Sequence, residues 1–259
     1  MNSELARILI MRRFFIDPDG VTGTKATITG DEAHHISDVL RLKPGTAIEL
    51  FDGTGKSYQA RIEGISKGRV EAVITAKDKE NIAVSHLAIG VALLTGKKMD
   101  LIVQKATELG VETIAPYVSR HCSVKEGNPN KEERWQRIAL EACKQCNRPT
   151  TPECRPVTDL TTLLATAEAN TIKIIFWEEE QSRTLTDLFP TTAGTGPPAT
   201  VLALFGPEGG FSKEEISQAV AAGFTPVSLG KRILRAETAV IGASAILQFL
   251  LGNLQTMQP

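Results

Sequence analysis

Two short runs of this chain carry residue types that could do chemistry. The first is Leu204-Phe205-Gly206-Pro207-Glu208-Gly209-Gly210-Phe211-Ser212, and the second is Leu229-Gly230-Lys231-Arg232-Ile233-Leu234-Arg235-Ala236-Glu237-Thr238. Each follows an apolar run and leads into a helical pattern. Each is therefore expected to be a strand-to-loop-to-helix junction, the place where open α/β sheets bind ligands. Glycine lets backbone approach a ligand closely, and Gly209 and Gly210 are expected to allow positive φ. Pro207 biases Gly206 away from the helical region. Ser212 with Glu215 three residues later spells a capping box. Glu208, held between Pro and Gly-Gly, could bind a hydroxyl or a cation, or orient an arginine. In the second run Ile233 and Leu234 suit an apolar part of a ligand, and Arg235 or Lys231 an anion. Glu237 suits the positive end of the last helix. The blander readings are a plain tight connection for the first run and an ordinary brace between Arg235 and Glu237, or to a neighbouring loop, for the second. Neither run has GxGxxG spacing, and no glycine-rich loop ends in Lys-Ser/Thr, so NAD and ATP are poorly supported.

The elements that must position these runs fall into two patterns. Residues 12–76 read as short strands at Arg12–Ile16, Lys25–Ile28, Ala47–Phe51, Ser57–Ile65 and Val70–Ala76, punctuated by turns such as Asp52-Gly53-Thr54-Gly55. One helix starting at Gly30 or Asp31 interrupts them, with Ala33, Ile36, Val39 and Leu40 as its apolar stripe. This suggests a small β-barrel with one helix. After the polar stretch Lys77–Asn81, strands and helices alternate. Strands are expected at His86–Leu94, Thr113–Val118, Lys173–Trp177, Thr200–Phe205 and Thr225–Leu229, and helices at Lys98–Leu109, Lys131–Cys146, Thr158–Glu168, Lys213–Ala222 and Glu237–Leu251. Thr191–Pro198 reads as a surface loop. Alternation of this kind implies a mostly parallel α/β sheet.

Composition bounds the remaining possibilities. In 259 residues, 42% are hydrophobic and 23% charged, ordinary for a soluble globular protein, and the net charge is −1. Overall charge thus does not advertise a nucleic-acid binder, and such a function must rest on a local basic face. No apolar run is long enough to span a bilayer. Met1–Ile10, with Glu4 and Arg7, makes a poor signal peptide. Four cysteines do not suggest a disulfide scaffold, and the single CxxC at Cys143 and Cys146 falls in a helical pattern with no second pair, which favours packed thiols over zinc. No metal-ligand cluster is evident, and a cytoplasmic location is expected. A basic face is available: Arg120, His121, Lys125, Lys131, Arg134, Arg137, Lys144 and Arg148 crowd one stretch, and Glu141, Gln145 and Arg148 share a helix face. Phosphate contacts from such residues would position a nucleic acid without reading its sequence. The alternative is a solvated charged helix with Glu132 and Glu133 as local partners.

Taken together, these runs resemble the bacterial 16S rRNA uridine-N3 methyltransferases of the SPOUT class. The likeness is carried by Gly206–Ser212 and Leu229–Ala239, by Lys98–Val111, by Arg134-Trp135 with Glu141-Ala142 and Gln145–Arg148, and by His34-His35, Val39-Leu40-Arg41 and Gly45. It spans nearly the whole chain from Met11. The resemblance implies a SPOUT-type α/β domain with a C-terminal trefoil knot over 82–255, a PUA-like RNA-binding β-barrel over 11–77, and a homodimer. Periodicity alone gives an unknotted doubly wound sheet, because knots are very rare. The resemblance further implies S-adenosylmethionine as methyl donor, bound by Leu204, Phe205, Gly206, Gly209, Gly210, Leu229, Gly230, Ile233, Leu234 and Thr238. It makes 16S rRNA or the small ribosomal subunit the partner. Arg12, Arg13, His35 and Arg41 would join the basic stretch in RNA contact, although His34 or His35 could simply pack. For the chemistry, Arg235 would stabilise charge on the uracil carbonyls, Glu208 or Glu237 would orient it or relay the proton, and Arg148 is a further candidate. The competing expectations are a ribose 2′-O-methyltransferase with the same donor, separable by mass spectrometry of nucleosides, and a non-catalytic RNA-binding assembly factor, separable by donor calorimetry.

Overall fold

The structure is a computed structural model that describes residues 11–77, 85–168, 170–189 and 200–254. Met1–Ile10, most of the polar stretch Lys77–Asn81 and the loop Thr191–Pro198 lie outside the described residues. The described residues up to Lys77, with Cys143–Thr151, form one compact unit. Those of Ser85–Ala142 and from Pro152 onward form a second.

The first unit is built on strands β1 (Arg13–Phe15), β2 (Val21–Thr22), β3 (Lys25–Thr29), β4 (Ala47–Phe51), β5 (Ser57–Ser66) and β6 (Arg69–Lys77). They make one six-stranded sheet in the order β1-β4-β5-β6-β3-β2. The β1–β4 ladder is parallel and the others are antiparallel. Period-two alternation sends Ala26 and Ile28 of β3, and Val70, Ala72 and Ile74 of β6, into one core. Helix α1 (Gly30–His34) continues as a π turn over His35–Val39, closed by Leu40 N–H donating to His35 O at 2.9 Å. Ala33 and Ile36 are buried as expected, but Val39 is 61% exposed. The wider π turn rotates Val39 off the stripe that a 3.6-residue period would give it.

The second unit comprises β7 (His86–Ala92), α2 (Lys98–Glu108), β8 (Thr113–Val118), the part of α3 (Pro129–Cys146) up to Ala142, β9 (Glu153–Cys154), β10 (Thr158–Asp159), α4 (Leu160–Ala165), β11 (Thr171–Phe176), α5 (Leu185–Leu188), β12 (Thr200–Phe205), α6 (Lys213–Ala221), β13 (Thr225–Val227) and α7 (Ala236–Leu250). Its sheet runs β10-β8-β7-β12-β11-β13, with β9 also on β8. Every ladder in it is parallel. The interior strands are continuous apolar runs, as strands covered on both faces must be. Gly90 on β7 illustrates the packing: a Cβ there would lie 2.4 Å from Leu204 and 2.8 Å from Leu163. The helix expected over Thr158–Glu168 is shorter. Asp159 caps α4 by accepting from Thr162 N at 2.8 Å, while Thr158 and Asp159 pair with β8.

Register sets where the loops begin. Phe176 on β11 stands opposite both Phe205 on β12 and Val227 on β13. The three strands therefore end at one level, and the loops after them leave side by side. No helix among the described residues is long and apolar enough to cross a membrane.

Candidate active site

The loops after β11, β12 and β13, with the first turn of α7, enclose a cavity of about 480 Å³. That is within the range that holds a nucleoside-sized ligand. Phe205 and Phe176 stack at its floor, with centroids 4.9 Å apart and an interplanar angle of 16°. The buried Tyr117 hydroxyl donates to Phe205 O at 2.9 Å and pins the end of β12. Burial pushes the Tyr117 phenol well above its usual value.

The β12 loop is held from three sides. Ser212 and Glu215 form the expected capping box of α6: Glu215 N donates to Ser212 Oγ at 3.2 Å and Ser212 N to Glu215 Oε2 at 2.9 Å. Glu215 also accepts from Ser119 Oγ at 2.8 Å and Arg120 N at 2.9 Å. Burial raises its carboxyl, but those donors outweigh burial and hold it below the usual range. His121 Nδ1 lies 3.1 Å from Gly209 O and 3.2 Å from Gly210 O. Glu208 Oε1 accepts from Thr95 N at 3.1 Å, Thr95 Oγ1 at 2.8 Å and Lys98 Nζ at 2.8 Å, which ties the loop to the start of α2. Burial again acts to raise this carboxyl. The Lys98 bond and the backbone and Thr95 donors override it and bring it down to about 2.

The two glycines behave differently. Gly210 has φ +69°, and a Cβ there would come within 2.1 Å of Glu178 Oε1. Gly209 takes no positive φ, contrary to expectation. Its lack of a side chain serves close approach instead, since a Cβ would meet His121 Cβ at 3.0 Å. In the β13 loop, Gly230 has φ +105° and its N–H donates to Ser228 Oγ at 3.1 Å. Ile233 is 91% exposed. Lys231, Arg232 and Arg235 are exposed too. Among the described residues Arg235 and Glu237 form no ion pair with each other or a neighbour. Glu237 Oε2 is buried without a hydrogen-bond partner among them.

Of the expected ligand residues, Phe205, Gly206, Gly210, Leu229, Gly230, Ile233 and Leu234 line the cavity, as do Glu208, Arg235 and Glu237. Leu204 does not, because its side chain is fully buried beside Gly90. Gly209 and Thr238 are also absent from the wall: Gly209 faces His121, and Thr238 is exposed on α7. Trp177, Glu178 and Lys98 line the cavity unanticipated. The strand ending at Trp177 was legible, but not that it lies beside β12.

The basic residues divide. Arg12, His35 and Arg41 are exposed, and Arg41 holds φ +49°. Arg13 is placed differently. Its side chain is only 4% exposed, its Nε sits 3.4 Å from Glu49, and its guanidinium lies over Phe51 at 4.5 Å, so β1 and β4 consume it. Lys144 pairs in the first unit with Glu32, both side chains being 14% exposed. Arg148 Nε donates to Thr150 Oγ1 at 3.2 Å in the same unit. In the second unit Arg120 pairs with Glu214 at 3.0 Å, Arg134 with Asp100 at 2.7 Å and Arg137 with Glu133 at 3.9 Å. Lys125 Nζ donates to Arg120 O at 2.6 Å. All four of these side chains stay exposed. Cys143 is buried and its Sγ donates to Thr150 O at 3.4 Å. No three His, Cys, Asp or Glu among the described residues are placed to hold a metal.

Comparison with known proteins agrees with this geometry. Residues 80–248 match the family model of an RNA methyltransferase domain, and residues 28–75 that of an RNA methyltransferase PUA domain. The ribosomal RNA small subunit methyltransferase E of Buchnera aphidicola subsp. Schizaphis graminum is 32% identical over 258 residues, 98% of this chain and 100% of that one. Its namesake in Synechocystis sp. is 32% identical over 240 residues, 92% of this chain and 78% of that one. The crystal structure of the Neisseria gonorrhoeae ribosomal RNA small subunit methyltransferase E bound to S-adenosyl methionine superposes with a TM-score of 0.84 at 34% identity, covering 95% of this chain and 100% of that one. A Legionella pneumophila methyltransferase in complex with the same cofactor gives 0.82 at 33%, covering 92% and 97%. The mixed α/β fold is thus that of SPOUT methyltransferase structures, with a PUA-like unit ahead of it.

Proposed function

Since the chain belongs to the ribosomal RNA small subunit methyltransferase E family, we propose that it methylates N3 of a uridine in 16S rRNA with S-adenosylmethionine as donor. The observation that carries this reading is the convergence of Gly206–Gly210 and Leu229–Arg235 on one cavity at the strand ends. The residues present fit the donor. The Phe176–Phe205 pair and Leu229 offer apolar surface, Gly230 has open space where a side chain would stand, and the orphaned Glu237 oxygen suits a cationic ligand.

S-adenosylmethionine supplies, when bound, a methyl group on a sulfonium with a good leaving group. The chain's own task is orientation and charge stabilisation. Arg235, an exposed residue of the cavity wall with no carboxylate partner among the described residues, stabilises the negative charge that spreads over the uracil carbonyls as N3 loses its proton. Glu208 is a poor proton acceptor with its carboxyl held at about 2, and its work is to strap the loop to Thr95 and Lys98. Glu237 and the exposed Glu178 are the carboxylates left to the cavity. The exposed run Lys231–Arg235 gives the N3 proton a path to water.

The target base must be unpaired or flipped to enter. We assign 11–77 to a PUA-like RNA-holding domain, through Arg12, His35 and Arg41, and 82–255 to the catalytic domain. Arg120, Lys125, Arg134 and Arg137 supply its phosphate contacts. A trefoil knot through the β12 and β13 loops, a homodimer and a cytoplasmic location complete the reading. Primer extension on small-subunit rRNA from cells with and without the protein tests it, because a methyl on N3 blocks base pairing. A stop present with the protein and absent without it is expected, and identical traces would overturn the reading.

A further inference from the structure

We propose that Glu237 is the residue by which the cavity tells the sulfonium methyl donor from its thioether product. The inference rests on the donor reading of the cavity given above. Glu237 lies in the first turn of α7 and lines the cavity, and its Oε2 is shut off from solvent with no hydrogen-bond partner among the described residues. A carboxylate oxygen withdrawn from water and left unpaired is costly, so the site is incomplete until something supplies a donor or a positive charge.

None of the described residues supplies it. Lys98 is committed to Glu208 at 2.8 Å. Lys231, Arg232 and Arg235 line the same cavity, are exposed, and make no ion pair with Glu237. The other two carboxylates of the wall differ in kind: Glu208 is saturated by Thr95 and Lys98, and Glu178 is open to solvent. Of the three, only Glu237 keeps a carboxylate oxygen withdrawn from solvent and unpaired among the described residues, in a side chain that lines the cavity.

The donor and its product differ at one centre. The donor's sulfur is a sulfonium cation, whereas in the product, S-adenosylhomocysteine, it is a neutral thioether. Both keep the ammonium and the ribose hydroxyls, so contacts to those groups cannot discriminate between them. A fixed negative oxygen in a partly dry cavity attracts the sulfonium and gains nothing from the thioether. It thereby favours loading of donor and departure of product.

Isothermal titration calorimetry on the full chain tests this with three ligands: S-adenosylmethionine, S-adenosylhomocysteine, and a donor analogue with a protonated amine in place of the methylated sulfur. The wild type is expected to bind the two cations at least about tenfold more tightly than the thioether. In Glu237→Gln both cations weaken about tenfold while the thioether stays within about twofold, so the preference collapses. A preference that survives in Glu237→Gln, or an equal loss for all three ligands, overturns the inference while leaving the donor cavity standing. A wild type that binds none of the three overturns the cavity reading and this inference with it. Should Glu237→Gln not fold, Glu237→Asp carries the test. It keeps the charge on a shorter stem and is expected to keep the preference at reduced affinity, and loss of the preference in that variant overturns the inference.

Discussion

Replacing Glu208 by glutamine removes the charge that ties the β12 loop to the start of α2. The carboxyl sits at about 2 in the folded chain against an ordinary 4.5. At ~1.4 kcal/mol per unit, that drop bounds the stabilisation at ~3 kcal/mol. The side chains of Lys98 and Glu208 are 33% and 31% exposed, and solvent screening reduces the figure to ~1–2 kcal/mol. Because the folded value is depressed, the contribution is complete above pH 4.5 and is lost as pH falls toward 2, with about half gone near pH 3. Urea unfolding of wild type and Glu208→Gln at pH 7 and pH 3 reads this directly. The gap between the two proteins is expected to be ~1–2 kcal/mol at pH 7 and to narrow by about half at pH 3. A cycle with Lys98→Met at pH 7 should give a coupling of ~1 kcal/mol. A gap that does not change with pH, or a coupling below ~0.3 kcal/mol, refutes the strap.

Three further outcomes follow from the same loops. Arg235→Ala should bind S-adenosylmethionine normally in calorimetry yet methylate ~10²-fold or more slowly, and a wild-type rate would remove its charge-stabilising role. Gly210→Ala forces a side chain into φ +69° and against Glu178, so thermal unfolding should show a loss of ~1–2 kcal/mol together with weakened donor binding. Ser212→Ala breaks the capping box and should cost ~1 kcal/mol in the same assay, with Ser212→Asp restoring most of it.

Where local chemistry decides structure, the sequence reads well. Ala47–Phe51, Thr113–Val118 and Thr200–Phe205 form strands over the residues expected of them, and Ser212 and Glu215 cap α6 as their spacing demands. Where the partner decides, it reads poorly. Strands as short as Glu153–Cys154 and Thr158–Asp159 have no periodicity to reveal them and exist because β8 offers an edge. Trp177 and Glu178 enter the cavity because β11 pairs with both β12 and β13, and strand order is not written in any local pattern. Arg13 looks like any exposed basic residue until Glu49 and Phe51 are placed beside it. Glu208 looked like a reacting group, and the Lys98 and Thr95 that occupy it lie more than a hundred residues away in the chain.

The chain has two tryptophans. Trp135 is 3% exposed, whereas Trp177 is half-buried in the wall of the large cavity. The molecule thus carries its own optical reporter: indole emission from Trp177 should respond to occupancy and to an aqueous quencher, while Trp135 supplies a steady background. Filling of the cavity could be timed in a stopped-flow mixer with no dye attached.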